Sequence, residues 1–280
     1  MNIILIDASY TSFHRFYATL RWYSFAHKDE YKEYKGNKEY DWTTNKIFIN
    51  KYKKMYLESI IKLIKKKIYK NSILIFCQDS PHETIWRHEF VKCYKGKRVN
   101  HNDKINISSV FRYTYNIIIP ELVKEKHIFK LMIDKIEGDD IIAIISKYIR
   151  RKLPDKKTYI ISGDKDFYQL GHKNLYFADY KKKEILIFTR KEAKQKLLEK
   201  ILDGDCSDNI PSIFKNIKIN KSEKDKMKND KKYLISFLKK PENKKIKKQF
   251  KLNCKAINFK YIPKKYQKQV LQKIQLFNLF

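Results

Sequence analysis

Four short apolar runs in this 280-residue chain each end just before one or more acidic residues. The runs are residues 3–6, 72–77, 128–133 and 158–161, and the acidic residues that follow are Asp7, then Asp79, then Glu137, Asp139 and Asp140, and finally Asp164 and Asp166. Apolar runs of this length are typical of parallel strands that are buried on both faces. The pattern therefore predicts four strands whose carboxyl ends carry carboxylates.

Segments with apolar residues at helical spacing lie between and after these runs. Helices are predicted over 10–26, 52–69, 106–126, 141–149 and about 190–203, with Pro120 kinking the third or starting a new helix. Residues 28–46 are polar and are predicted to form a loop, and 175–178 and 184–188 are predicted to be strands at a sheet edge. Strands that alternate with helices predict an α/β fold with a parallel sheet.

The carboxyl ends of parallel strands meet at one edge of a sheet, where ligands bind in this class of fold. Seven carboxylates would gather at that edge, and Asp205 and Asp208, which follow the last predicted helix, would join them. Carboxylates at this density repel one another unless cations neutralise them. Oxygen ligands suit Mg²⁺, and two such ions about 4 Å apart promote in-line cleavage of phosphodiesters.

Each acidic motif also has a purely structural explanation. A single aspartate after a strand commonly caps a helix, and a group of acidic residues at a helix start complements the helix dipole. The pair after the fourth strand would form a turn, and the last pair would cap a helix. The placement of every motif at a strand end or a helix start favours the metal site, while the structural explanation stays open for each motif taken alone.

The chain has a strong surplus of positive charge. It contains 63 Lys and Arg against 31 Asp and Glu, a formal net charge of +32. Such a surplus favours a polyanionic partner, with nucleic acid ahead of a membrane surface. An AT-rich genome would also raise the lysine count, but it would not concentrate acidic residues in a few motifs.

The remaining composition narrows the class of protein. The four cysteines, Cys77, Cys93, Cys206 and Cys254, form no C-x-x-C pair, so neither a zinc site nor a disulfide framework is supported. No stretch approaches the ~18 apolar residues of a membrane span, and the N-terminus does not resemble a signal peptide. We expect a soluble, intracellular protein, in the cytoplasm or a viral replication compartment.

At these motifs the sequence resembles the 5′–3′ exonuclease and flap endonuclease family, of the phage and bacterial polymerase-associated type. Residues 5–9 read LIDAS, 136–142 read IEGDDII, 162–170 read SGDKDFYQL and 204–211 read GDCSDNIP, and all four are similar to family motifs. The stretch Trp86-Arg87-His88-Glu89-Phe90, followed by Tyr94-Lys95-Gly96-Lys97-Arg98, resembles a basic family motif. Together these motifs span about three quarters of the chain.

The resemblance implies a role for each motif. Asp79, Glu137, Asp139 and Asp164 would hold a first metal ion, with Asp7 and Asp140 close by through water, and Asp166, Asp205 and Asp208 would serve a second. Lys95 and Arg98 would be catalytic, since they match a basic pair that stabilises charge on the scissile phosphate. Arg87, Tyr94 and Lys97 would also contact nucleic acid. Tyr94 would stack on a base or pack in the core, and Arg87 would bind phosphate or form a surface ion pair.

The resemblance also implies an architecture. Residues 1–190 would form a PIN-like, or resolvase-like, nuclease domain with a helical arch near 82–126, centred on about 99–111. Residues 191–280 would form a Lys-rich helical DNA-binding region containing a degenerate helix–hairpin–helix. The family's glycine-rich hairpin is missing, because no glycine follows Gly204. That absence weighs against the family's K⁺ site and leaves diffuse contacts from lysines as the alternative.

The function that the resemblance implies is a Mg²⁺-dependent 5′ nuclease, a 5′–3′ exonuclease or flap endonuclease of replication or repair. It would hydrolyse DNA with free 5′ ends or flaps, or RNA–DNA primer junctions, as a monomer, and Mn²⁺ would substitute for Mg²⁺. Two other classes stay open: a non-catalytic, structure-specific nucleic-acid-binding protein and a PIN-like ribonuclease. The motif at 204–211 favours the 5′ nuclease over the ribonuclease.

Overall fold

A six-stranded sheet forms the centre of the computed structural model, which describes residues 1–96, 105–215 and 217–277. The strands are β1 (Asn2–Asp7), β2 (Ser72–Cys77), β3 (Ile128–Leu131), β4 (Thr158–Ile161), β5 (Leu175–Asp179) and β6 (Glu184–Ile187). Their order is β3-β2-β1-β4-β5-β6, and all neighbours are parallel except the antiparallel pair β5–β6. The predicted α/β sheet, with the last two strands at its edge, is confirmed.

Twelve α-helices surround the sheet within the described ranges. They are α1 (Ala8–Ala26), α2 (Lys28–Tyr34), α3 (Lys46–Ile64), α4 (Lys66–Lys70), α5 (Ser108–Tyr113), α6 (Ile119–Leu122), α7 (Gly138–Lys152), α8 (Arg190–Asp203), α9 (Lys221–Asn229), α10 (Lys231–Lys239), α11 (Lys244–Ile257) and α12 (Lys264–Leu276). In the part of the chain that the structure covers, no helix combines the length and apolarity needed to span a membrane.

The two faces of the sheet carry separate cores because side chains alternate along each strand. On β1, Ile4 and Ile6 pack with α1 and α3, whereas Ile3 and Leu5 pack with α7 on the opposite face. Residues of α11 and α12 share the second of these cores. The last helices of the Lys-rich region therefore return to the sheet, across the expected boundary at residue 190.

A smaller core lies under the rest of the C-terminal region. Leu202, Phe214, Met227, Leu238 and Ile246 belong to it, and they come from α8, the loop that follows and the helices α9 to α11. The helices α9 and α10 are short and are joined at Asp230, whose carboxylate caps α10. These two helices follow the glycine-free segment 212–220.

One local prediction differs from the structure. The segment 28–46 is not a continuous loop, because α2 (Lys28–Tyr34) forms at its start. Pro120 lies in the first turn of α6, where a missing N–H costs little, so it starts a new helix, one of the two outcomes predicted for it. A π-helical stretch, Thr114–Ile118, joins α5 to α6. The expected arch falls partly on residues 97–104, which lie outside the described residues.

Candidate active site

Four strand ends bring carboxylates together, as the sequence predicts. Asp7 ends β1, and β1 lies between β2 and β4, so the strand order reverses beside it. Such a reversal opens a crevice at the carboxyl edge of a sheet. A cleft of about 390 Å³ lies there, lined by Asp7, Asp79, Asp139 and Asp164. Four of the nine predicted metal ligands therefore line one cleft.

Hydrogen bonds hold the aspartate that ends β1 and the aspartate that follows β2. Asp7 accepts from the backbone N of Tyr10 (2.9 Å) and from the Ser162 hydroxyl (2.8 Å). Asp79 accepts from the Ser9 hydroxyl (2.5 Å) and from the backbone N of Gly138 (2.7 Å), which opens α7. Each carboxylate is thus held in place before any cation binds, and that preorganisation favours a defined coordination geometry.

Glu137 occupies the N-cap of α7 and is surrounded by cations. Its carboxylate accepts from Arg87 Nη1 (2.8 Å) and from the Tyr94 hydroxyl (3.0 Å), and it pairs with the ammonium of Lys95. Burial alone would raise the pKa of Glu137, but Lys95 and Arg87 outweigh it and hold the pKa at about 2. Glu137 is therefore a permanent anion that positions Lys95 at the cleft.

Asp140 does not line the cleft and is bound by protein groups instead. It is fully buried, and it binds Arg87 in a fork of 2.7 and 2.8 Å and accepts from the Trp86 indole N–H at 2.9 Å. Arg87 is buried too, and its Nε donates to the carbonyl of Ala256 at 2.9 Å. Arg87 is thus engaged with protein rather than exposed to phosphate, and the surface ion pair considered for it is an interior one.

Asp166, Asp205 and Asp208 form a second acidic group. One oxygen from each lies within 4.8 Å of the others, a spacing that suits a shared cation. Lys200, in the last turn of α8, pairs with Asp166 and lies 2.8 Å from Asp205. This ammonium lowers the pKa of Asp205 against the opposing effect of burial. The three carboxylates that the resemblance assigns to a second metal ion therefore lie together, with a lysine in contact with two of them.

The loop 204–211 has the tight geometry that its glycine permits. Gly204 has a φ of +74°, and a Cβ there would lie 2.5 Å from the carbonyl oxygen of Ile210. Asp205 and Ile210 exchange backbone hydrogen bonds of 2.7 and 2.8 Å across the loop. Asn209 donates to the carbonyl of Cys93 at 2.7 Å, so this loop also holds the segment that carries Lys95. The loop 204–211 and the segment that carries Lys95 therefore hold each other in position.

Tyr94 connects the two acidic groups. Its hydroxyl lies 3.0 Å from Glu137 and 3.2 Å from Asp208, and its ring is 3% exposed. A ring so deeply buried packs in the core rather than presenting a face to a base, which was the alternative for this residue. Lys95 lines the cleft, whereas Lys97 and Arg98 lie outside the described residues.

Burial and crowding make the cleft a place where cations fit. Burial, followed by repulsion from Asp79, raises the pKa of Asp7 to about 7. Burial, followed by repulsion from Asp7 and Asp164, raises the pKa of Asp139 well above its ordinary value. These raised pKa values mean that the charged carboxylates are unfavourable unless more positive charge is brought near them. A hard divalent cation would supply that charge, and such cations prefer oxygen ligands.

We expect the metal-free protein to lose stability as the pH rises from about 4 to about 7. In that window the folded state keeps a proton on Asp7 that the unfolded chain has released, because the folded pKa is about 7. The stabilisation is complete below about pH 4 and amounts to at most about 4 kcal/mol. Thermal unfolding in EDTA between pH 5 and 8 measures it, and millimolar Mg²⁺ should flatten the curve.

The control for this expectation is Asp7→Asn, which cannot ionise at that position. Its melting temperature in EDTA should depend less steeply on pH than that of the wild type. An identical pH dependence in the two proteins would contradict the raised pKa.

Some residues of the site escaped the sequence reasoning. Ser9 and Ser162 belong to recognised motifs, yet their roles as donors to Asp79 and Asp7 depend on packing between strands. Tyr115 adds a hydroxyl 2.7 Å from that of Ser9. The role of Lys200 could have been suspected from the sequence, because this lysine lies about one helical turn before the Gly204-Asp205 motif.

Comparisons with known proteins identify the family and the fold of the chain. Residues 2–198 match the 5′-3′ exonuclease N-terminal resolvase-like domain. A 5′-3′ exonuclease of Mycoplasmopsis pulmonis is 28% identical over 167 residues, which make up 57% of this chain and 52% of that relative's length. The chain thus aligns with about half of this relative.

Solved structures from bacteriophage T5 share the fold along nearly the whole chain. The T5 D15 protein co-crystallised with metal ions has a TM-score of 0.65 at 14% identity, and the match covers 99% of both chains. A complex of the T5 D15 flap endonuclease with DNA and metal ions has a TM-score of 0.62 at 14% identity, covering 97% of this chain and 98% of the other. By the domain match and its order of motifs, the chain belongs to the 5′-3′ exonuclease family and has the resolvase-like fold of its N-terminal domain.

Proposed function

We propose that this protein is a Mg²⁺-dependent 5′ nuclease that hydrolyses phosphodiesters in DNA with 5′ flaps or free 5′ ends. The observation that carries the proposal is the pair of neighbouring acidic groups at the carboxyl edge of the sheet, bridged by Tyr94. Family membership and the large positive charge of the chain support the same conclusion.

The residues divide into two sets of ligands. Asp79, Glu137, Asp139 and Asp164 would hold a first Mg²⁺ ion, with Asp7 beside them, and Asp166, Asp205 and Asp208 would hold a second. When bound, divalent cations stabilise negative charge on a phosphate and lower the pKa of water. Asp140, which is saturated by Arg87 and Trp86, is left out of both sets.

The basic side chains complement these carboxylates. Lys95 lines the cleft with its ammonium against Glu137, where it would meet the scissile phosphate and stabilise charge that develops on it. Lys200 contacts Asp166 and Asp205 of the second acidic group and would neutralise their charge until cations and substrate bind. Both lysines are held by carboxylates, so they are oriented before the substrate binds.

The experiment is cleavage of a 5′-labelled flap, a 3′ flap, a nicked duplex, a primer junction containing RNA and a single-stranded RNA. We expect Mg²⁺ to support cutting of the 5′ flap and the nicked duplex, Mn²⁺ to substitute, and EDTA to stop the reaction. Cleavage that persists in excess chelator would reject the metal-dependent mechanism. Preference for the RNA strand would indicate a ribonuclease instead, and binding without hydrolysis would indicate a non-catalytic binder.

A further inference from the structure

A second cleft, of about 630 Å³, lies at the other end of α7 from the acidic site. Its walls come from the C-terminal half of α7, the first two turns of α8, the segment after α11 and the helix α12. Ile144, Leu170, Leu197 and Leu271 contribute apolar surface to the lining. The acidic residues at the start of α7 lie about 18 Å away, at ~1.5 Å for each helical residue.

Positive charge dominates this cleft. Seven of its lining residues are Lys or Arg, and none is Asp or Glu. Arg150, Arg151 and Arg190 are among the seven, although the whole chain contains only eight arginines beside 55 lysines. An AT-rich genome would explain many lysines but not the collection of scarce arginines in one place. The guanidinium group of arginine binds phosphate through paired N–H donors. The presence of arginine rather than lysine at these positions therefore indicates a phosphate ligand.

Among the residues that the structure describes, none of the seven basic side chains of this cleft forms an ion pair with a carboxylate. Lys147 donates to the carbonyl of Phe259 at 2.6 Å, and burial and then Arg150 lower its pKa to about 8. Burial, followed by repulsion from Arg190 and Arg151, lowers the pKa of Arg150. An anion bound in the cleft would relieve this repulsion.

The electrostatics of the helix dipoles explain only part of this group of basic residues. Basic residues in the last turn of α7 complement the negative end of its dipole, which accounts for Arg150 and Arg151. Arg190 and Lys194 lie in the first two turns of α8, at the positive end of that dipole, where cations are unfavourable. Binding of an anionic ligand would explain the basic residues at the end of α7 and also those at the start of α8.

A line of residues on α8 connects the cleft with the acidic site. Arg190, Lys194, Leu197 and Lys200 follow one another at spacings of four, three and three residues, which places them on one helix face. Leu197 and Gln169 line both the cleft and a small pocket that Asp166 and Lys200 also line. Ten residues of helix span about 15 Å, the axial length of about four base pairs.

We propose that the cleft binds backbone phosphates of the nucleic-acid substrate, about four or more base pairs from the scissile bond. The proposal rests on the proposed nuclease function, because it needs the acidic group beside Lys200 to be where the strand is cut. Phosphate binding in this cleft would let the chain hold nucleic acid without the glycine-rich hairpin, which its sequence lacks.

The test compares two double variants that each remove two positive charges. Arg150→Gln/Arg190→Gln changes the cleft, and Lys54→Gln/Lys62→Gln changes exposed residues of α3 on the opposite face of the sheet. Binding of a fluorescein-labelled 5′-flap substrate is measured by anisotropy in EDTA over a series of salt concentrations. Both variants should keep the wild-type melting temperature, since neither loses a buried ion pair.

We expect the cleft variant to bind about tenfold more weakly or worse and to lose about two units from its log–log salt slope, whereas the α3 variant stays near the wild type. A substrate with only two base pairs beyond the scissile position is too short to reach the cleft, so the two variants should bind it with similar affinity. Equal weakening of both variants by the full-length substrate would overturn the proposal, because the effect would then be one of net charge alone.

A further probe identifies the source of the phosphate. If the cleft variant loses binding of ATP in EDTA but binds the flap normally, the cleft serves a free nucleotide and the strand proposal is overturned. Cleavage in Mg²⁺ is measured separately on the wild type. A protein that binds through the cleft but never cuts would reject the proposed nuclease function without removing the cleft's role in binding nucleic acid.

Discussion

Asp164→Asn and Asp139→Asn should each reduce flap cleavage by about 10³-fold or more while leaving substrate binding unchanged or slightly tighter. Both residues line the acidic cleft, and asparagine keeps the shape of the side chain but removes the charge that a divalent cation requires. Because the variants remove negative charge from a polyanion-binding surface, the affinity for nucleic acid should not fall. Single-turnover cleavage in Mg²⁺ and anisotropy in EDTA measure the two quantities separately.

The matched control is Asp155→Asn, an exposed aspartate in the loop after α7. It should cut at the wild-type rate. Asp139→Asn should also raise the melting temperature in EDTA, because burial, followed by repulsion from Asp7 and Asp164, raises the pKa of Asp139 and makes its charged form unfavourable. Near-normal turnover in either active-site variant would show that the cleft is not the catalytic centre.

The second large effect concerns stability rather than catalysis. Arg87→Leu should lower the free energy of unfolding by about 3–5 kcal/mol, since it leaves the buried carboxylates of Asp140 and Glu137 without their guanidinium partner. Arg21→Leu, at an exposed position of α1, is the matched control and should change stability little. Denaturant unfolding at neutral pH provides the measurement.

A double variant separates a buried ion pair from a lost packing contact. Arg87→Leu/Asp140→Leu removes both charges and should recover part of the stability lost in the single variant, because no unpaired Asp140 remains. If Arg87→Leu kept the wild-type stability and instead weakened binding to DNA, Arg87 would be the surface phosphate contact that the sequence suggested.

The sequence was sufficient to predict the sheet and the position of the acidic residues. An apolar run that ends in an aspartate defines both a buried strand and the edge to which its carboxylate belongs, as at Asp7 and Asp164. The structural explanations proved compatible with the site. Asp7 caps α1, and Glu137 caps α7, while both also belong to the acidic cluster. A capping interaction and a place in the acidic cluster are therefore not alternatives in this fold.

The partners of individual side chains could not be predicted in the same way. Asp140 and Arg87 are 53 residues apart, and nothing in the local pattern of either residue indicates that both are buried. The same holds for Tyr94, whose hydroxyl meets Glu137 and Asp208 across 43 and 114 residues. Burial of polar groups depends on long-range packing, whereas sequence periodicity reports only on neighbours within one element.

The contacts of Asp208 and Asn209 with the segment that carries Tyr94 and Lys95 determine when this site can exist during synthesis. A ribosome that has translated only the sheet strands has produced the carboxylates of the first group but none of the loop 204–211. The growing chain can therefore begin to fold before it holds a complete set of acidic residues. A site built in this way is complete only after about three quarters of the polypeptide has been made, so interrupted translation would release fragments that contain Asp166 but lack Asp205 and Asp208.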